Sequence, residues 1–410
     1  MAPPLSLAAH SWHTRRAMNA ESRPVSARPQ SLAAPAVRRL ILADFRSYPA
    51  LDLALDAHIV VLTGENGAGK TNVLEALSLL APGRGLRRAE LADCARTGGR
   101  GGFAVSVEIG AHGARVQLGV GLDPPDDDDK QARRFRIDRT PAPSARALAD
   151  HLRLVWQTPA MDQLFLGPAG ERRRFLDRLV VVVDPDHGAR VNALERALRN
   201  RNRLLEEGAA DRRWMESAEH EVAELAIAVA AARHDTVARL AALILAERSE
   251  ASPFPFAEIA LDGDIEALVA GMPALAAEDR YRAVLADNRS RDAAAGRTLI
   301  GPHTSDLAVR HGPKQLQARQ CSTGEQKALL TGLVLAHAHL VAASSGIVPI
   351  VLLDEIAAHF DPRRRAALFD ELAAIGGQVW MTGADDAAFS ELAGRAQIFR
   401  VTPGRVAAAN

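Results

Sequence analysis

Cysteine is nearly absent from this 410-residue chain: Cys94 and Cys321 are the only two, far apart. Two isolated thiols make no disulfide framework, so a cross-linked secreted scaffold is excluded and a reducing compartment is expected. Net charge is missing too. Fifty basic residues balance fifty acidic ones, so no global positive field points to a nucleic-acid partner, and any such binding must rest on local clusters. No uninterrupted apolar stretch reaches the ~18–20 residues that cross a bilayer. The longest runs, Leu329 to Val341 and Ile347 to Leu353, carry histidine or are too short. A membrane protein is not expected. Internal repeats are lacking as well.

What is present is enough chain for more than one core, because single cores stop growing near about 250–300 residues. Residues 1–37 are rich in Ala, Pro, Ser and Arg, with Glu21 their only acid. They read as a disordered extension, a transit peptide, or a mis-called start with the true one near Met18. Order is expected from Arg38. Arg39 to Tyr48 and the alternating Leu51, Leu53 and Leu55 read as a hairpin, and His58 to Thr63 as a buried strand. Short strands are expected at 103–109, 116–122 and 134–139, with Asp126 to Asp129 a solvated acidic tip between the last two. From 185 to 250 the period turns helical, with Val191, Leu194 and Leu198 on one face and Trp214, Ala218, Val222, Leu225 and Val229 on a second. Gly208 divides them into a hairpin whose arms of ~25–35 residues would span ~40–50 Å.

Three elements carry chemistry. Gly64-Glu65-Asn66-Gly67-Ala68-Gly69-Lys70-Thr71 fits G-x-x-x-x-G-K-[ST] between a strand and a helical pattern. Its glycines let backbone N–H groups face phosphate oxygens at the positive end of a helix. Lys70 is placed on the β- and γ-phosphates of ATP, and Thr71 on Mg²⁺. The apolar strand Ile347 to Leu353 ends in Asp354-Glu355. There Asp354 would hold the Mg²⁺ shell and Glu355 would act as general base toward water. Ser322-Thr323-Gly324, ahead of a long apolar helix, offers a hydroxyl and helix N-terminal N–H groups to an anion.

The order of phosphate loop, Ser-x-Gly helix start and acidic strand resembles that of the ABC ATPase superfamily. The resemblance implies that Ser322, Thr323 and Gly324 form the signature, which completes the ATP site of a second copy, so that ATP bridges a homodimer. It also places Asp361 in the D-loop of Ala357 to Asp361 and Thr382 at the switch position. Gln157 is taken for the Q-loop, with Gln163 as its rival. The fold expected is α/β: an ABC-type P-loop ATPase head, of mixed sheet plus antiparallel N-terminal strands, with an inserted helical lobe. The head would be built from residues 38–170, carrying the phosphate loop, and residues 291–410, carrying the signature and acidic strand. The helical lobe would occupy residues 171–290 between them.

Within that superfamily the chain resembles the RecF family. The resemblance rests on Leu40-Ile-Leu-Ala-Asp-Phe45-Arg46-Ser-Tyr48, on Glu171 to Asp177 with Ala197 to Leu205, and above all on Gly296-Arg297-Thr-Leu-Ile-Gly301-Pro302-His303-Thr304-Ser305-Asp306. Two departures stand out: Glu325 where the transporter signature has Gln, and Leu86 where the family has an aromatic. The resemblance implies a slow, DNA-stimulated ATPase that binds double-stranded and gapped DNA and works with RecR and RecO. It would help load RecA onto gaps, support the SOS response, and reside in the cytoplasm with the nucleoid. Arg172, Arg173, Arg174, Arg199, Arg201 and Arg203 are the DNA candidates. The alternatives are an ABC/SMC-like head in another DNA transaction and a transporter ATPase subunit. Against the transporter stands the spacing: Lys70 and Ser322 are about 250 residues apart.

Overall fold

The structure is a computed structural model that describes residues 32–111, 113–125, 131–208, 211–248, 252–356 and 360–409. The acidic tip Asp126 to Asp129, residues 1–31, and Ala357 to His359 of the expected D-loop lie outside the described residues. The chain opens with β1 (Ala36–Phe45), β2 (Tyr48–Ala54) and β3 (Ile59–Thr63), followed by α1 (Lys70–Ser78). Next come β4 (Phe103–Ala111), β5 (Ala114–Leu122), β6 (Arg133–Ile137), β7 (Thr140–Ala142), α2 (Ala145–Leu148) and β8 (Leu154–Gln157). Helices α3 (Ala169–Val183), α4 (His187–Glu207) and α5 (Arg212–Glu247) lead to β9 (Ala257–Asp262), then α6 (Asp264–Gly271), α7 (Ala274–Asp287) and α8 (Arg289–Ala295). The remainder of the chain holds β10 (Asp306–His311), β11 (Leu316–Gln317), α9 (Thr323–Ser345), β12 (Ile350–Leu353), α10 (Pro362–Ile375), β13 (Val379–Gly383), β14 (Ala396–Thr402) and β15 (Arg405–Ala408).

The central sheet has the order β15-β14-β3-β13-β12-β8. β14, β3, β13, β12 and β8 run parallel, and β15 pairs antiparallel at the edge. Every residue of β3, β12, β13 and β8 is buried, as expected for a parallel sheet covered on both faces. Alternate side chains enter two cores. Val61, Val351, Leu353, Val379 and Met381 pack with α3, α9 and α10. Val60, Leu62, Ile350, Leu352 and Trp380 pack with α1 and the antiparallel sheet β2-β1-β4-β5-β6-β7. Each buried Val or Leu in these strands contributes roughly 1.5–3 kcal/mol of transfer free energy.

Three expectations need correction. β1 starts at Ala36, ahead of Arg38, because the buried Gln378 amide pins Val37: its Oε1 accepts the Val37 N–H at 2.9 Å and its Nε2 donates to the Val37 carbonyl at 3.0 Å. The helical region expected over 171–290 contains β9, which pairs antiparallel with β10, so a boundary at 290 would cut through a sheet. The hairpin arms are unequal, 21 residues in α4 and 36 in α5, with Gly208 closing α4 at φ 63°. The α9 helix is also, among the described residues, long and apolar enough to cross a bilayer, since its scattered polar residues leave the average hydropathy high. Its apolar window is 67% buried within the protein, which makes it a core helix.

Candidate functional site

β3 and β12 point their C-terminal ends the same way, with β13 between them and β8 beyond. Loops at the carboxyl ends of parallel strands are where open α/β sheets bind ligands. After Thr63 the chain turns sharply at Gly64, where φ is 146° and a Cβ would lie 2.3 Å from the Val401 carbonyl oxygen of neighbouring β14. At the loop's other end Gly69, at φ 110°, caps α1, with the Tyr48 hydroxyl donating to its carbonyl at 3.0 Å. A Cβ at Gly69 would stand 2.9 Å from that hydroxyl. Only glycine fits either position. Lys70 follows, buried, its Nζ donating to the carbonyls of Gly64 at 2.6 Å and Glu65 at 2.9 Å. Both of these acceptors are neutral carbonyls, so neither supplies a counter-charge that would compete with an anion.

The Thr71 hydroxyl lies 3.0 Å from both carboxylate oxygens of Asp354, which follows β12 directly. Burial pushes the Asp354 carboxyl above its ordinary value, against the hydrogen bonds from Thr382 and Thr71. Thr382, in β13, donates to Asp354 Oδ1 at 2.7 Å and accepts the Glu355 N–H at 2.8 Å. Glu355 itself sits at φ 53°, a left-handed conformation that costs a non-glycine residue about 1–3 kcal/mol and persists only where the surroundings fix it. Gln157 ends β8 opposite Leu353, and its carbonyl accepts the Asp354 N–H at 3.0 Å. Its side-chain amide is buried with neither oxygen nor nitrogen hydrogen-bonded. The rival Gln163 is exposed, at the end of a short turn. The Thr71 hydroxyl and the Asp354 carboxylate, 3.0 Å apart, are hard-oxygen donors of the kind Mg²⁺ takes.

Ser322 caps α9, and Ser322, Thr323 and Gly324 are all exposed. Glu325 accepts the Ser322 N–H at 3.1 Å, closing a capping box, and pairs with Lys314. Those two partners hold its carboxyl down at about 2. The departure from glutamine thus has a local structural use. Among the described residues, no hydrogen bond joins Ser322–Gly324 to the Gly64–Thr71 loop. Asp361 caps α10, its side chain accepting the Arg364 N–H at 3.0 Å.

One acid escaped the sequence reading. Glu75 of α1 is buried, and Arg46 binds it through both Nε (2.9 Å) and Nη2 (2.7 Å). Arg87 adds a further bond at 2.9 Å and also donates to Asn72. The signal was available: Glu75 interrupts the apolar set Val73, Leu74, Ala76 and Leu77, all buried.

The arginine candidates divide. Arg201 is fully buried, binding Asp292 at 2.7 Å, Thr298 at 2.8 Å and Glu219 at 3.3 Å, so it is removed from any DNA surface. Arg172 forks onto Asp306 at 2.8 and 2.7 Å, and Arg173 donates to the Ser305 carbonyl at 2.7 Å. Both are spent on structure. Arg174 pairs with Glu171 on its own helix. Arg199 and Arg203 remain on the exposed face of α4, beside Glu195 and Glu207. A wider set of bonds explains the string from Gly296 to Asp306: Thr298 is held by Asn202 of α4, the Leu299 N–H by Asp292 of α8, and the Ile300 carbonyl by Tyr281 of α7. Pro302 is held by Arg233 of α5, and Ser305 and Asp306 from α3.

A family model described as "AAA domain, putative AbiEii toxin, Type IV TA system" matches residues 59–402. The chain is 53% identical over 368 residues to the DNA replication and repair protein RecF of Rhizobium etli (strain CIAT 652), covering 90% of this chain and 97% of that one. It is also 53% identical over 370 residues to the RecF of Mesorhizobium japonicum, with the same coverage. A solved structure described as the recombination mediator protein RecF-ATPrS in the RecFOR pathway superposes with a TM-score of 0.80 at 19% identity, covering 93% of this chain and 100% of that one. At that identity the superposition shows the shared fold: a P-loop ATPase head with its helices inserted.

Proposed function

The chain belongs to the RecF family of DNA replication and repair proteins, and on that premise we propose that it is an ATPase in which ATP bridges two copies around DNA. The closed pair clamps double-stranded DNA or a single-strand/double-strand gap junction, and slow, DNA-stimulated hydrolysis resets it. The observation that carries this reading is a pair of anion-facing helix starts on one chain. One is the phosphate loop with buried Lys70 and the Thr71–Asp354 pair; the other is the exposed Ser322–Gly324 turn, which shares no hydrogen bond with the first. Two copies facing each other would bring the second element of each to the first element of its mate. A nucleotide gripped only in the closed state has the differential affinity a switch requires.

In this reading Gly64 to Gly69 cradle the phosphates with their N–H groups, and Lys70 neutralises the β- and γ-oxygens. Thr71 and Asp354 would hold Mg²⁺, and Gln157 would serve the Q-loop. The ion would lower the charge density of the triphosphate. Glu355 takes a proton from the attacking water at its carboxylate, while Thr382 fixes the backbone that carries it. Asp361 serves the D-loop. The division into an ATPase head over 38–170 and 291–410, with a helical lobe over 171–290, belongs to the same proposal, adjusted for the pairing of β9 with β10. Arg199 and Arg203, through phosphate contacts, would bind DNA without reading its sequence. Work with RecR and RecO, loading of RecA onto gaps, support of the SOS response and residence in the cytoplasm complete the proposal.

The test is DNA retention measured with ATP, with ADP and without nucleotide over a range of salt. Retention should require ATP and fall steeply with salt. Equal retention in all three nucleotide states would sink the reading.

A further inference from the structure

The second helix start has a neighbour that the sequence motif does not include. Among the described residues, a Cβ placed on Gly324 would meet, beyond its own helix, only Arg364 Nη1, at 4.0 Å. Arg364 lies in the first turn of α10, whose N-cap is Asp361 and whose first residue is Pro362. The Asp361 carboxylate accepts the Arg364 N–H at 3.0 Å and stands 3.8 Å from its Nε. That separation is too long for a hydrogen bond. Among the described residues the guanidinium makes no side-chain hydrogen bond, and it keeps 29% of its surface exposed. The helix that carries it is nevertheless fixed. α9 and α10 bury Leu329, Leu330 and Leu333 together with Leu368, Phe369 and Leu372 in one core, so Gly324 and Arg364 move as a single body.

A guanidinium with no hydrogen bond of its own, beside exposed N–H groups at a helix start, is pre-arranged for a phosphate that this chain does not itself hold. We propose that Arg364 is a nucleotide-contacting residue supplied in trans: beside Gly324, it reaches the terminal phosphate of the ATP bound in the partner copy's phosphate loop. This rests on the reading that the Ser322–Gly324 turn caps the mate's nucleotide. Such an arginine strengthens only the closed state, because the open monomer presents it to water. Asp361 then has a second task, orienting that arginine through both backbone and side chain.

The experiment uses the full-length chain with Arg364→Ala, Arg364→Lys, Lys70→Ala and Ser322→Arg. With Mg²⁺ and ATP, R364A should bind nucleotide as a monomer within about twofold of wild type, yet lose about tenfold or more in ATP-dependent dimerisation by sedimentation. R364K, a point charge without the fork, should fall between. Mixing decides the direction. R364A with K70A leaves one composite site intact if the arginine acts in trans, so turnover should return that neither variant shows alone. K70A mixed with S322R is the control for the shared nucleotide. Recovery in the control alone would overturn the role of Arg364 and leave the bridged dimer standing. Recovery in neither mixture would remove the bridged dimer and this inference together. R364A that dimerises and turns over like wild type would also overturn it. So would a loss of ATP-dependent DNA retention in an R364A that still dimerises like wild type, which would assign the arginine to a DNA phosphate.

Discussion

The hydroxyl of Thr382 donates to Asp354 Oδ1 at 2.7 Å and, through its lone pair, holds the backbone N–H of the next acid at 2.8 Å. One proton and one lone pair therefore set both carboxylates. Asp354 is oriented at its oxygen, and Glu355 by its left-handed backbone.

Thr382→Val keeps the shape and removes both bonds. It should destabilise the fold by about 1–3 kcal/mol, the cost of leaving buried polar groups unpaired. Turnover should fall by more than that loss of stability explains, because Glu355 is free to relax. Thermal denaturation and steady-state ATPase assays measure the two effects, and Thr382→Ser should restore most of both. A valine variant with wild-type turnover would show that the hydroxyl is incidental.

Lys70→Ala should abolish nucleotide binding, read by a fluorescent ATP analogue. Glu355→Gln should leave binding intact and trap the dimer with ATP, since the amide cannot take the proton. A Glu355→Gln chain that sediments as a monomer under saturating ATP would speak against the bridged pair.

The start of α9 should respond to acid. The Glu325 carboxyl is held at about 2, first by the Lys314 ammonium and then by the Ser322 N–H. Its folded value is depressed below the ordinary 4.5. The stabilisation is therefore fully present above about 4.5 and disappears as pH falls from there through about 2. Hydrogen exchange at the amides of Thr323 to Gln326 should accelerate over that window, relative to the intrinsic acid trend, and Lys314→Ala should narrow the window by raising its lower end. Protection that ignores both would show that the capping box contributes little.

Arginines close in sequence should separate in experiment. Arg201→Ala takes the guanidinium partner from the buried Asp292, while Glu219 keeps Arg289, and should cost about 3–5 kcal/mol in denaturant unfolding. Arg199→Ala and Arg203→Ala should leave stability within about 0.5 kcal/mol, given their exposed pairs. In the ATP state, each should lower the salt slope of DNA retention by about 1. An unchanged slope in the double variant would place the DNA contact elsewhere.

How much of this was legible depends on where each residue lies. β3 and β12 announce themselves as apolar runs ending in a glycine loop and an acid pair, because a parallel strand covered on both faces has no alternation to disguise it. The pairing of β9 with β10 is invisible locally: the partners are joined through three helices, and Ala257–Asp262 is too short to show a period. Arg201 was misread although a signal existed. It falls at the helical spacing of Leu194, Ala197, Leu198 and Leu204, all buried, so its place on the inner stripe could have been counted. Arg172 was harder, since its partner Asp306 is 134 residues away. The closeness of Arg364 to Gly324 depends on how two helices cross, which no residue pattern states.

The segment from Arg297 to Asp306 is bound in turn by α4, α8, α7, α5 and α3. Anyone exchanging those helices for another set, or trimming them away to obtain a minimal catalytic half, would sever a tether attached at both ends. A workable hybrid must transplant these ten residues along with the helices that clasp them, even though the segment lies at the far side of the insertion from α3.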